Sequence, residues 1–148
     1  MAHACRKLAS IERQDCLRFD SFRCVFERVW LQGRIARGLG QIGEAESLLL
    51  AARDGFLAEG IPYETALVSM DLSLLYAQQG RSAELKRLAA EMVPIFASRQ
   101  IHREALAALA FLQRAVETER AGLEVVEKVA GYLRKARYAP DLAFQESV

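Results

Sequence analysis

Residues 40–80 read GQIGEAESLLLAARDGFLAEGIPYETALVSMDLSLLYAQQG, and this stretch decides the fold. Glycine stands at its start, at its middle and at its end, as Gly40, Gly60 and Gly80. Between the glycines lie two segments dominated by Ala, Leu, Glu, Arg and Gln, all good helix formers. Leu67, Met70, Leu74 and Ala77 recur at three and four residues on one line, and Leu85, Leu88 and Met92 do the same just downstream. Pro62, two residues after Gly60, suits the first turn of a helix, where its missing N–H costs nothing. Gly80-Arg-Ser82 offers a second turn, with Ser82 placed to cap the helix that follows. No sustained alternation of apolar and polar residues marks a strand. The expected class is all-α.

Working outward, positions forty apart agree. Gly40 matches Gly80, Leu48 matches Leu88, Phe56 matches Phe96, Ile61 matches Ile101, Glu64 matches Glu104 and Leu72 matches Leu112. Glu44, Glu84 and Glu124 form a triple, as do the apolar sets Ala45, Leu85, Val125 and Leu49, Ala89, Val129. Self-similarity at a fixed period of this size is the signature of stacked helical repeats. Helices are expected near 20–38, 43–59, 63–79, 82–98, 102–118 and 120–136, in repeats of approximately 20–59, 60–99 and 100–138. Pro94, inside the fourth helix, clashes with the carbonyl of Ala90 and predicts a kink there.

These residues resemble the tetratricopeptide repeat, whose signature is W-x2-L-G-x2-Y, then A-x3-F, then P. The middle repeat carries Leu72-Ser73-x2-Tyr76, then Gly80, then Leu85-x3-Ala89. The first carries Gly33-x2-Ala36, then Gly40, then Ala45-x3-Leu49-x2-Ala52, and the third Leu112-x3-Val116 with Val125-x3-Val129. Small residues at Gly33 and Ser73 suit a close helix crossing. The period is forty rather than thirty-four and the terminal proline is missing, which is similar to the extended tetratricopeptide-like arrays of bacterial regulatory proteins. The resemblance implies a single domain: a right-handed α-α superhelix of about three helical hairpins, with an N-terminal helix over 4–18 and a tail over 139–148. In the same register Cys5, Leu8, Ala9 and Cys16 fall where Ala45, Leu48, Leu49 and Phe56 fall. Residues 4–18 thus read either as the second helix of a preceding repeat or as a capping helix.

Composition bounds the function. The 148 residues are 52% apolar, enough for one domain with a real core. Lys plus Arg number 20 against 19 Asp plus Glu, which lacks the electrostatic footprint of a dedicated nucleic-acid binder. The longest apolar run, Ala105 to Leu112, falls far short of the roughly 20 residues of a membrane span. No signal-peptide core follows the N-terminus, and the three cysteines Cys5, Cys16 and Cys24 suit reduced thiols. A cytoplasmic location is expected.

Chemistry is sparse. His3 with the cysteines matches no compact zinc-ligand spacing, and the cysteines read as small buried apolar residues. His102 has no credible nucleophile beside it. Gly38-Leu-Gly-Gln-Ile-Gly43 forms a G-x-G-x-x-G string, but it follows a helix rather than a strand and so fails as a dinucleotide loop. The expectation is a non-enzymatic module without cofactor or metal.

The resemblance also implies a binding face, because in the family the first helix of each hairpin lines the concave side. By position this gives Glu27, Trp30, Arg34 and Arg37 from the first repeat. The second supplies Leu67, Met70, Leu74 and Gln78, and the third Ala107, Ala110, Arg114 and Glu117. Trp and Arg dominate binding hot spots. The family's Lys/Asn/Arg clamp for a terminal carboxylate is not matched, since Trp30 stands where it wants a Lys. The expected partner is a protein or peptide, a helix, or another copy of the chain through an exposed end helix. A ligand-sensing regulatory domain of a bacterial transcriptional regulator is the alternative, to be told apart by an enclosed pocket.

Overall fold

The computed structural model describes residues 22–98, 103–118, 122–139 and 141–146. Helix α1 runs over 22–38, followed by α2 (Ile42–Ala58), α3 (Pro62–Gln78), α4 (Ser82–Ser98), α5 (Arg103–Glu117) and α6 (Leu123–Ala136). Among the described residues there is no strand. The expected helix over 4–18 and the residues at 119–121 lie outside the described residues, as do His3, Cys5, Cys16 and His102.

The first three turns are one device used three times. Gly40, Gly60 and Gly80 have φ of 76°, 68° and 69°, the left-handed region that a Cβ makes costly. Each is accompanied by the same pair of bonds. Gln41, Ile61 and Arg81 donate their N–H to Ala36, Phe56 and Tyr76 at 2.9 Å, while the glycines donate to Arg37, Leu57 and Ala77. This pairing satisfies carbonyls that a helix end leaves open. Pro62 takes the first helical position, as expected. Ser82 does not cap α4: it is the first helical residue, and the Arg81 carbonyl accepts the first intrahelical bond from Leu85 at 3.2 Å. Helix α4 continues on both sides of Pro94.

Helix α3 is the centre of the molecule. Every residue from Glu64 to Tyr76 is buried. A helix whose apolar residues surround its whole circumference must be covered on all sides, and α3 is packed by α2, α4 and α6, while α1 reaches it through side-chain bonds. Its buried hydroxyls bond within the helix: Thr65 to the Ile61 carbonyl, Ser69 to Thr65 and Ser73 to Ser69, at 2.7–2.8 Å. Small residues set the close approaches around it. A Cβ on Gly33 would lie 2.9 Å from the Leu49 side chain, and one on Gly55 only 2.3 Å from the Phe26 ring.

The third hairpin departs from an open stack. In such a stack α5 would lie beside α3. Instead, among the described residues, α5 touches α4 and α6, and α6 returns to touch α3. Helices α3, α4, α5 and α6 therefore close a ring, each packed on the next, in the manner of a four-helix bundle. The physical reason is the apolar stripe of α6, Val126, Val129, Ala130, Leu133 and Ala136, which is buried. It covers the side of α3 that α2 and α4 leave open. Tyr63 fixes the contact by donating its hydroxyl to the Leu133 carbonyl at 2.6 Å.

Candidate functional site

Closure of the ring changes the expected groove. Leu67, Met70 and Leu74 are 4%, 1% and 6% exposed and belong to the core, so they offer nothing to a partner. Arg114 and Glu117 lie on α5, away from α3. Arg114 pairs with Glu146 at 3.0 Å, and Glu117 accepts from Gln113 at 3.1 Å. Ala107 is exposed and Ala110 half-buried on the same helix, and Gln78 is exposed at the end of α3. Residues drawn from three first helices do not form one concave face, because the first helix of the third hairpin does not sit beside the other two.

The first-repeat residues do come together. Two carboxylates, Glu64 and Asp71, stand seven residues apart on α3, so both point to one side of a helix that is otherwise sealed. The Asp71 side chain is 1% exposed. Its Oδ2 accepts the Trp30 indole N–H at 2.7 Å, and its Oδ1 accepts Arg134 Nη2 at 3.0 Å. Glu64 Oε1 accepts Arg23 at 2.9 Å and Arg137 at 2.6 Å. Arg23 and Trp30 come from α1, Arg134 lies on α6 and Arg137 follows it. The two acids thus tie both α1 and α6 to α3. Arg23 and Trp30 each meet the residue forty-one places later, so α1 and α3 run in the same direction, whereas α6 runs opposite to both.

Two further arginines reach the same place without completing a bond. Arg34 Nε stops 3.8 Å from Asp71 Oδ2, and Arg37 Nη1 stops 3.9 Å from Oδ1. Both distances exceed a hydrogen bond. Arg37 Nη1 is buried and has no hydrogen-bond partner. Arg34 and Arg134 are about half exposed, so the place opens to solvent. Trp30 does not stand free. It packs edge-on against Phe56 with ring centroids 6.0 Å apart, and Phe26 does the same at 5.8 Å. Glu27 is exposed and pairs with Arg23 at 3.2 Å.

The opposite flank of α1 carries the other feature. Leu31, Ile35 and Leu39, four residues apart, are 56%, 54% and 69% exposed, with Val25 exposed as well. Arg28 and Cys24 are exposed among them; Cys24 is thus a surface thiol rather than the buried residue expected from sequence. Among the described residues no group of His, Cys, Asp and Glu could hold a metal ion. None of the described helices is long and apolar enough to cross a membrane.

A cleft of about 540 Å³ lies between α6 and the segment after it, lined by Lys128, Tyr132, Lys135, Leu142 and Phe144. It is open rather than enclosed. Phe144 packs on Tyr132 with centroids 5.1 Å apart, and its N–H donates to Glu104 at 3.1 Å. Elsewhere, Arg81 binds both Glu46 oxygens at 2.7 and 3.1 Å and stacks 4.6 Å from the Tyr76 ring. The guanidinium holds the Glu46 carboxyl below its ordinary range. This cluster ties α2 to the turn between α3 and α4.

No family model matches the chain, and neither does any curated protein or any solved structure.

Proposed function

We propose that this chain is a non-enzymatic protein-interaction module that docks an acidic amphipathic segment of a partner protein along α1. The observation that carries the reading is the make-up of that helix. It exposes Leu31, Ile35 and Leu39 in a row while carrying Arg23, Arg28, Arg34 and Arg37 against the single carboxylate of Glu27. An apolar row with the exposed Arg28 in it and the half-exposed Arg34 at its border suits a partner of apolar residues flanked by Asp or Glu. Charge argues against a second copy, since pairing two α1 edges would oppose like-charged arginines.

The tetratricopeptide reading is part of the proposal. It is supported over α1–α4 by the forty-residue register and the repeated glycine turns. A right-handed superhelix is the finer form of that reading, and it applies to those four helices; beyond them the ring replaces the stack. The absence of a catalytic role is likewise proposed, on the ground that the buried acids are engaged in holding helices together.

A second reading, a ligand-sensing regulatory domain, draws on the cleft between α6 and the segment after it, where two lysines border an aromatic floor. Affinity capture from native lysate separates the two. Wild type should retain a partner whose bound segment is acidic and amphipathic, and Ile35→Glu with Leu39→Glu should lose it. A partner kept by the double variant overturns the docking surface. A small molecule that raises the melting temperature, with no protein partner, establishes the sensor instead.

A further inference from the structure

Around Asp71 the charges do not balance. Three guanidinium groups, from Arg34, Arg37 and Arg134, stand within 4 Å of one carboxylate. Each Asp71 oxygen already accepts one bond, Oδ2 from Trp30 and Oδ1 from Arg134, and its single negative charge is shared among the three guanidinium groups. Among the described residues of the cluster, five arginines face three carboxylates, those of Glu27, Glu64 and Asp71. Crowding cations against a low-dielectric wall is unfavourable unless an anion sits among them. The orphaned Arg37 Nη1 makes the same point by a different route, because a buried donor 3.9 Å from the nearest Asp71 oxygen has lost its water bonds without a hydrogen bond to replace them.

We propose that the arginine cluster between α1 and α6, over Asp71, is an oxyanion site that takes one carboxylate or one phosphate group. The anion would sit between Arg34 and Arg37 of α1 and Arg134 of α6, accepting the donors that Asp71 leaves unused. Guanidinium groups suit planar carboxylate and tetrahedral phosphate alike, through paired N–H donors. Asp71 holds the floor of the site: it orients Arg134 and pins the indole of Trp30 beside it. The half-exposed Arg34 and Arg134 provide the entrance. The inference deepens the interaction reading by naming the group that would anchor an acidic partner, and it rests on that reading only for the source of the anion.

The chain has one tryptophan, and it lies in the site. Its indole N–H resonance is therefore a local reporter. The full chain is titrated separately with inorganic phosphate and with a hexaglutamate peptide. A saturable shift of the Trp30 indole at low-millimolar ligand is expected in at least one titration. Arg34→Gln with Arg37→Gln should weaken it about tenfold or more, the loss expected on removing charge-assisted hydrogen bonds. Arg87→Gln, on α4 and away from the site, should leave it unchanged. Preference for phosphate assigns a phosphoryl ligand, and preference for the peptide assigns acidic side chains of a partner.

If the double variant fails to fold, Arg34→Gln alone, at a half-exposed position, carries the test. No saturable shift with either ligand overturns the site and leaves the arginines as ties between helices. A shift that survives the loss of Arg34 and Arg37 overturns it as well. Ile35→Glu with Leu39→Glu lies on the other flank of α1 and should not alter the titration, so failure of the docking surface and failure of the oxyanion site give different results.

Discussion

The first two hairpins and the third share a sequence register but not an arrangement. Over α1–α4, glycines at positions 40, 60 and 80 end each of the first three helices in the same left-handed turn. One register step later the sequence has Gln100 and Arg120 where Gly60 and Gly80 stand. Among the described residues no positive-φ glycine follows Gly80. Glu124, Val125 and Val129 keep the helical pattern of Glu84, Leu85 and Ala89, yet α5 leaves α3 and α6 takes its place. Apolar periodicity thus makes the helices but does not by itself fix which neighbour each one packs against.

The largest effect is expected at Asp71, which joins the regular part of the chain to the returning helix. Asp71→Ala removes the acceptor of Trp30 and Arg134 and strands their donors. A loss of about 2–3 kcal/mol in urea unfolding is expected, the cost of leaving charged and indole donors unpaired where the half-exposed arginines can still reach water. A loss near zero would mean that α1 and α6 are held by apolar packing alone.

Glycine substitutions sharpen the contrast between the two regions. Gly55→Val drives a side chain into the Phe26 ring and should cost about 1–3 kcal/mol, as overpacking of a tight crossing does. Gly33→Leu, against Leu49, belongs to the same range. In the third hairpin a methyl group on Gly131 would meet no atom within 4 Å, so Gly131→Ala should instead stabilise by about 0.5–1 kcal/mol through helix propensity. Equal effects at Gly55 and Gly131 would contradict the packing described for both hairpins. Gly80→Ala should cost about 1–2 kcal/mol from backbone strain, although the site has open space for the methyl.

One further effect is confined to alkaline pH. Burial pushes the Tyr63 hydroxyl from its ordinary 10.0 up to about 12. The folded state therefore favours the neutral phenol, which donates to the Leu133 carbonyl. This contribution is fully present below pH 10 and is lost as pH rises through about 12. Tyr63→Phe should lack that alkaline step in a pH series of unfolding curves; an unchanged step would assign it to another group.

Much of this was legible in the sequence. Helix positions fell within a few residues, because Gly60, Gly80 and Pro62 punctuate an otherwise uniform pattern. The close approach at Gly33 followed from its small size where the repeat register calls for a close helix crossing. The burial of Leu67, Met70 and Leu74 did not follow, since an apolar line on a helix looks the same whether it faces a groove or another helix. A signal was nevertheless present: Glu64 and Asp71 interrupt a long apolar helix on one side, and buried acids require cations. The arginines that meet them lie on two different helices, and sequence spacing exposes only the α1 pairing, not the return of α6. The contact of Gly55 with Phe26 was hidden for a similar reason, as it joins residues of two helices outside the repeat signature.

The claim on which the rest depends is that α6, rather than α5, covers α3. Nuclear Overhauser contacts of the Tyr63 ring test it most directly. The account predicts strong contacts from the Tyr63 ring to Leu133 and its neighbours on α6, in keeping with the 2.6 Å bond between Tyr63 Oη and the Leu133 carbonyl. Contacts from α3 to α5 in their place, with none to Leu133, would describe an open stack and contradict it.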